Sequence, residues 1–462
     1  MGVTGDTFAG LPDADYVLLG SRVALVLDGG FAVAVPRRLR LLAEAGAVDP
    51  LLLSVDGAAP DVHAAQRQAF VDAGLLEHTT SARNLFDDVV ADPSWLWAAG
   101  EPAGAPVAGL EYRAVTDAAG AAILSLPVLP NNPEWHLSDA PVVIHAPDGD
   151  RWLRGFRSLY IAWLDRIADE RRAVAGDPDR LFVVIVESRQ IGETLVGWDD
   201  PRVRLVHAVH NSHLPAPHDD PDAEVTGLWR RWLATADRYD AVLWPTRAQR
   251  DEIAARFGDP GTFHVVPSTI DLGDEPVTER DARRVLMLNR LADQKRVDLA
   301  VRAWARVAEA VPDARLDIYG EGPLEAELAD LIEVLGVADS VRLLGPTDQR
   351  DALFDRAGLF LVSTAFEGQG LAIAEALARG LPVVSFDARY GPRDAIGDAG
   401  VLVAPGDIDG LADAVIALLR DDARREALSI RAREVAASFA PDAVRPALVA
   451  AIRSAVENPP RR

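Results

Sequence analysis

The sequence contains no cysteine, which excludes a disulfide framework, a thiol nucleophile and any thiolate metal site. It has no apolar run of about 18 residues, the length a helix needs to cross a bilayer. The opening segment, residues 1–15, is acidic and lacks the basic start and apolar centre of a secretory signal, so a cytoplasmic protein is expected. Positive charge is scarce: 47 basic residues face 71 acidic ones, for a net charge of -24. Such a chain lacks the basic surface that neutralises phosphates, so no nucleic-acid partner is expected. Lysine is almost missing. Lys295 is the only one in 462 residues, and every other basic side chain is arginine. Arginine presents a planar fork, whereas lysine is a compact point charge suited to a phosphate.

Hydrophobic residues make up 49% and charged residues 26%, as in an ordinary soluble protein, and the length suits two domains. Short apolar segments alternate with helical stretches in both halves. Strands are expected at 22–27, 181–187, 203–209 and 241–245 in the first half, with a helix from about 33 to 45. In the second half they are expected at 285–288, 315–319, 341–344, 359–363, 382–386 and 401–403. This rhythm predicts an α/β protein with parallel sheets covered by helices on both faces. A linker rich in proline, aspartate and glycine falls at 267–281. The expected division is a first domain over 20–270, a second over 281–440, and a C-terminal helix over 441–462 packing back towards the first. From about 110 to 155 the helical period disappears. Val115 to Leu124 reads as two strands around a glycine turn, and Pro141 to Asp150 as another strand and turn, so an antiparallel β element is inserted in the first domain. Nine of the ten tryptophans precede residue 245, which points to extra interaction surface there.

In an open parallel sheet, ligands bind beyond the carboxyl ends of the strands. The strand at 359–363 runs into Glu367-Gly368-Gln369-Gly370-Leu371, and a helix begins near Leu371 and carries Glu375 one turn in. The amides of Gly368, Gln369, Gly370 and Leu371 therefore open a helix, a ready anion site. Glu375 is placed for ribose hydroxyls and Glu367 for a sugar. Arg290 and Lys295 follow the strand at 285–288, where both suit a diphosphate whose charge grows as a sugar leaves. Asp28-Gly29-Gly30 closes the first strand, and Gly30 permits close backbone approach of a ligand, although tight-turn chemistry explains the glycines equally well. Arg37, Arg38 and Arg40 form a local basic cluster suited to an anionic group.

Asn289-Arg290-Leu291 with Lys295, and Glu367 with Glu375 eight residues later, resemble the retaining glycosyltransferase family 4, which has the GT-B fold of two facing Rossmann-like domains. The resemblance implies that Arg290 and Lys295 hold the donor diphosphate, Glu375 the ribose and Glu367 the sugar hydroxyls, with the intervening amides on phosphate and sugar. It also makes His210 the histidine that touches the donor sugar. A narrower resemblance rests on Phe386-Asp387-Ala388-Arg389-Tyr390-Gly391-Pro392, His210-Asn211-Ser212-His213-Leu214 and the inserted β region. These look like the bacterial poly(polyol-phosphate) α-glycosyltransferases of wall teichoic acid and the related serine-rich adhesin O-GlcNAc transferases. Their β insertion serves oligomerisation or acceptor binding, so a homo-oligomer is a further expectation.

His207, His210 and His213 cluster around one strand end, not along a helix, so they do not form the metal pattern their spacing suggests. The close acids Asp199 and Asp200, and those following His218, read as polar turns. No metal and no cofactor are expected. No side chain offers itself as a covalent nucleophile. The reading is therefore front-face transfer from a nucleoside-diphosphate sugar, with a UDP-sugar the expected donor, to a hydroxyl on a polymer, protein or small-molecule acceptor. Two rivals stand beside it: a non-catalytic glycosyltransferase-like subunit that recognises an acceptor, and another GT-B enzyme such as a nucleotide-sugar epimerase.

Overall fold

The computed structural model describes residues 10–24, 30–104, 107, 109–215, 218, 220, 222–273, 277 and 279–462. Two parallel sheets dominate. The first has seven strands in the order Phe263–Val265, Ala241–Trp244, Val203–Ala208, Phe182–Val186, Asp15–Gly20, Leu51–Ser54, Ala82–Asn84. The second has six, in the order Val341–Leu343, Arg315–Tyr319, Asp281–Leu288, Ala357–Val362, Val383–Phe386, Gly400–Val403. In both, strand order reverses beside the first strand of the sheet, which opens a crevice at the carboxyl ends.

Alternation along each central strand explains why helices cover both faces. Val17 and Leu19, with Val184 and Val186, enter one cluster against the helix Gly155–Ala175. Tyr16 and Leu18, with Val183 and Ile185, enter another against the helices Gly30–Glu44 and Pro441–Glu457. Successive side chains of a strand point to opposite faces, so a near-continuous apolar run is the mark of a strand buried on both. The stretch Asp422–Glu457 is long and apolar enough, with a mean hydropathy of 1.4 over its best window, to cross a membrane by length and composition. Val444, Leu448, Ala451 and Ile452 from that stretch are nevertheless buried against the first sheet.

The expected first strand at 22–27 is corrected. The strand is Asp15–Gly20, buried throughout, and Ser21 and Arg22 lie beyond its end. Asp15 opens this interior strand with its carboxylate taken by Arg180 at 3.0 Å, so an acid that reads as tail is fixed at the strand's start. Residues 25–29, including Asp28 and Gly29, fall outside the described residues.

The inserted element is a five-stranded antiparallel sheet in the order Glu101–Pro102, Gly149–Leu153, Val142–Ala146, Ala122–Val128, Glu111–Thr116. It therefore reaches back to Glu101, before the period change visible in sequence. Ile123, Leu124, Leu126, Val142 and Ile144 pack into the same cluster as Phe156 and Leu159 of the helix Gly155–Ala175.

Candidate active site

Lys295 lies in a short 3-10 turn, Asp293–Lys295, just ahead of the helix Val297–Ala310. Its Nζ pairs with the Glu367 carboxylate. The backbone around it is tied to the strand end opposite. The Ala365 amide donates to the Gln294 carbonyl (2.8 Å), Ser363 Oγ donates to the Lys295 carbonyl (2.9 Å), and Gln294 Nε2 donates to the Phe366 carbonyl (2.9 Å). The two strand ends flanking the switch point are thus one unit, so the lysine and the glutamate meet by construction. Arg290 is exposed next to this unit and has no ion pair among the described residues.

Past Glu367 the chain turns through Gly370, whose φ of +81° lies in the region glycine tolerates without a Cβ clash, and enters the helix Leu371–Ala378. Gly368 meets the other domain: a Cβ there would lie 2.1 Å from the His210 carbonyl oxygen. Gly30 is similarly placed, 3.2 Å from Leu371 Cδ1 if it carried a Cβ. The Gln369 side chain is committed elsewhere. It accepts from the Ser268 amide (2.6 Å) and donates to the Ser268 carbonyl (2.9 Å), so only its backbone amide remains for a ligand. Glu375 is held by Arg37 Nη1 from the first domain (3.1 Å) and by Arg350 Nη2 from its own (2.6 Å).

The basic cluster on the helix Gly30–Glu44 is therefore not a vacant anion site. Arg37 also reaches Asp271 in the linker (3.2 Å), Arg40 pairs with the same aspartate, and Arg38 turns inward to Glu187 (3.0 Å). Glu187 ends the strand Phe182–Val186, and its side chain has 0% exposure. Its other oxygen takes His210 Nε2 at 2.5 Å. Burial pushes the Glu187 carboxyl up, but Arg38 and His210 outweigh it and hold the group below the usual carboxylate range. A charged buried carboxylate thus fixes the His210 ring, which also meets Phe31 edge-on at 4.9 Å.

The three histidines take different roles. His207 is buried against Trp232 and Tyr239, and burial drops its pKa to about 3. His213 is fully buried, stacks on Tyr390 across the domain boundary (5.7 Å) and falls to about 4 by burial. Of the three, His210 alone is not buried. The stack of His213 on Tyr390 joins the two motifs behind the narrower resemblance, and Tyr390, which donates to Glu252 (2.5 Å), and Arg389, which pairs with the same glutamate, fasten the second of them to the helix Arg247–Phe257. Among the described residues, no group of three or more His, Asp or Glu side chains is arranged to hold a metal ion.

Beside His210 a cavity of about 590 Å³ opens at the mouth of the first sheet, with Asp56 and Glu187 in its wall. Asp56 is held by buried His63, whose Nε2 lies 2.9 Å from Asp56 and whose Nδ1 lies 2.8 Å from Asp87. Burial lowers the His63 pKa, but the two carboxylates raise it further, to about 9. A folded-state pKa above the unfolded one stabilises the fold fully below about pH 6.5 and loses that contribution as pH rises through 9. Denaturant midpoints are expected to fall between pH 6.5 and 9.5, and His63→Gln to flatten that fall. Parallel pH slopes for the two proteins would refute this.

Of the residues singled out from sequence, Lys295, Glu367, Gly368 and His210 come together directly. Glu375, Gln369, Gly370, Leu371 and Gly30 line the same domain boundary, and Arg290 stands at its edge. Sequence reasoning missed Arg350 and Glu187, and it singled out Arg37 for an anionic group without seeing its partners Glu375 and Asp271. Glu187 had a visible signal, an acid ending a buried apolar strand, whereas the partners of Arg37 and Arg350 lie too far along the chain to leave one.

Two Rossmann-like sheets facing across a crevice, with conjoined strand ends carrying Lys295 and Glu367, define the GT-B architecture. Residues 274–435 match the family described as "Glycosyl transferases group 1", so the chain carries a domain of that group. Poly(glycerol-phosphate) alpha-glucosyltransferase of Bacillus subtilis is 27% identical over 315 residues, covering 67% of this chain and 45% of that protein. Poly(ribitol-phosphate) alpha-N-acetylglucosaminyltransferase of Staphylococcus aureus is 28% identical over 204 residues, covering 44% and 41%. The chain spans less than half the length of either relative. Among solved structures, a variant of S. aureus TarM in complex with fondaparinux, alpha-GlcNAc-glycerol and UDP superposes with a TM-score of 0.74, at 16% identity, over 95% of this chain and 99% of that one. The pneumococcal O-GlcNAc transferase GtfA in complex with UDP and GlcNAc gives 0.72 at 15% identity, over 97% and 100%. At these identities the superpositions establish the fold.

Proposed function

We propose that this chain is a retaining, metal-independent glycosyltransferase that moves a hexose or N-acetylhexosamine from a nucleoside-diphosphate sugar, a UDP-sugar, to an acceptor hydroxyl. The observation that carries this reading is the meeting of Lys295 with Glu367 on the loop whose Gly368 abuts His210. A lone ammonium, an arginine and the amides opening a helix suit a diphosphate, and the adjoining carboxylate suits sugar hydroxyls. Lys295 and Arg290 take the leaving diphosphate, Glu375 the ribose, and Glu367 and His210 the sugar. In front-face transfer the bond from the anomeric carbon to the phosphate oxygen breaks as the acceptor oxygen bonds to that carbon. The acceptor proton passes to the departing phosphate. Positioning and charge stabilisation then supply the catalysis. UDP in the titles of the TarM and GtfA complexes supports uridine as the base. The reaction belongs in the cytoplasm, where nucleotide sugars are made. Among the described residues the outer strand of the insert, Glu111–Thr116, pairs on one side only, and a second copy is the partner its open edge suits.

Incubated with UDP-glucose or UDP-N-acetylglucosamine, the protein is expected to release UDP equally well in excess EDTA, and the product to keep the donor's α configuration by NMR. Loss of release that manganese or magnesium restores, or a β-linked product, would overturn the reading.

A further inference from the structure

The cavity beside His210 has a wall that the donor chemistry leaves unused. Phe31, Pro133, Trp135, Arg189, Gln190 and Trp229 line it. Resting on the glycosyltransferase reading, we propose that this cavity receives the acceptor, and that the acceptor is an uncharged saccharide with a sugar ring laid against Trp135.

Its size of about 590 Å³ lies in the range of small-ligand sites. Trp135 is half-buried and rigidly set: its ring stacks on His136 at 3.6 Å and meets Phe156 edge-on at 4.8 Å. His136 is pinned in turn by Tyr160, 2.7 Å away. A fixed aromatic face in a hydroxyl-lined cleft is what the apolar C–H face of a sugar ring packs against. Gln190 and Arg189 sit beside it. Gln190 Oε1 and Arg189 Nε have no hydrogen-bond partner among the described residues, and both atoms are shielded from solvent, so a sugar hydroxyl, which both donates and accepts, reaches them once the side chains turn outward.

Charge separates the alternatives. The acids of the wall are compensated, Asp56 by His63 and Glu187 by Arg38 and His210. The Arg189 guanidinium lies over Trp229 at 5.0 Å and 3.9 Å from Glu193. Arg22, the other arginine of the lining, is likewise engaged within the protein, and the net charge of -24 repels a polyphosphate.

The wall also explains what the insert delivers. Pro133 and Trp135 lie on its connection between Ala122–Val128 and Val142–Ala146. That connection is fastened to the first domain where Gln190 Nε2 donates to the Pro133 carbonyl (2.8 Å) and Arg231 pairs with Glu134 (3.1 Å).

The test is UDP release with three acceptor sets: neutral disaccharides of gluco, galacto and manno configuration, poly(glycerol phosphate), and a serine-rich peptide. A neutral disaccharide is expected to accelerate release about tenfold or more over acceptor-free hydrolysis. Trp135→Ala should raise its KM about tenfold with a smaller change in kcat, and Trp135→Phe should restore it. Acceleration by the polyol phosphate or the peptide instead, hydrolysis that no disaccharide accelerates, or an unmoved KM in Trp135→Ala overturns the proposal and leaves the transferase reading standing. Failure to bind UDP by calorimetry would bring down both.

Discussion

Exchanging Lys295 for glutamine is expected to lower kcat/KM for UDP-sugar turnover roughly 10- to 150-fold, about 1.5–3 kcal/mol, the range for a hydrogen bond to a charged group. Glutamine keeps a donor but loses the charge that faces the leaving diphosphate. It also strips Glu367 of its counter-charge, leaving a carboxylate beside an anionic donor. Arginine is not expected to restore activity. Its planar fork is wider than an ammonium, and the segment from Gln294 to Lys295 is tied by backbone bonds to residues 363–366 and cannot shift to admit it. Because Lys295 is the only lysine, an amine-directed reagent addresses one side chain. Saturating UDP should shield it. Peptide mapping that shows Lys295 equally labelled with and without UDP would remove it from the site.

Substituting Glu187 by alanine is expected to cost about 3–5 kcal/mol of folding stability, measured by denaturant unfolding, because it leaves Arg38 buried without its partner. Replacing both, Glu187→Leu with Arg38→Leu, should recover most of that stability, since an apolar pair bears no uncompensated charge. Turnover should not recover with it. His210 would have lost the carboxylate that sets its ring, and a defect resembling that of His210→Ala, roughly 10- to 100-fold in kcat, should persist in the refolded double variant. A cost below about 1 kcal/mol for Glu187→Ala, or full turnover in the double variant, would show that the buried carboxylate does not organise the site.

The second sheet was readable almost strand by strand, because runs such as Leu359-Phe360-Leu361-Val362 are apolar on both faces and glycine or proline marks their ends. The first strand was not. Residues 15–20 open on an aspartate and close on a glycine, whereas 22–27 hold the longer unbroken apolar run, and composition alone does not say which run pairs with Leu51–Ser54 and Phe182–Val186. The insert's hairpin was legible from its glycine turn, but the two-residue strand Glu101–Pro102 is too short to carry a period. In the site, Lys295 and Glu367 were legible because each sits at a strand end, where parallel topology dictates that ligands bind. The Gln369 side chain went unread, since nothing local tells that Ser268, 101 residues away, claims both ends of its amide. The arginines on Glu375 were hidden for the same reason: a long-range ion pair imposes no pattern on neighbouring residues.

Glu375 is gripped from both sides of the crevice, by Arg37 of one domain and Arg350 of the other. That makes it a thermodynamic junction. A ligand that takes one of its oxygens and a substitution that loosens the helix Gly30–Glu44 act on a shared equilibrium, and linkage requires each to alter the response to the other by the same factor. On the proposed function, nucleotide affinity is therefore also a gauge of how firmly the two halves are joined, and Arg37→Ala should change both readings together.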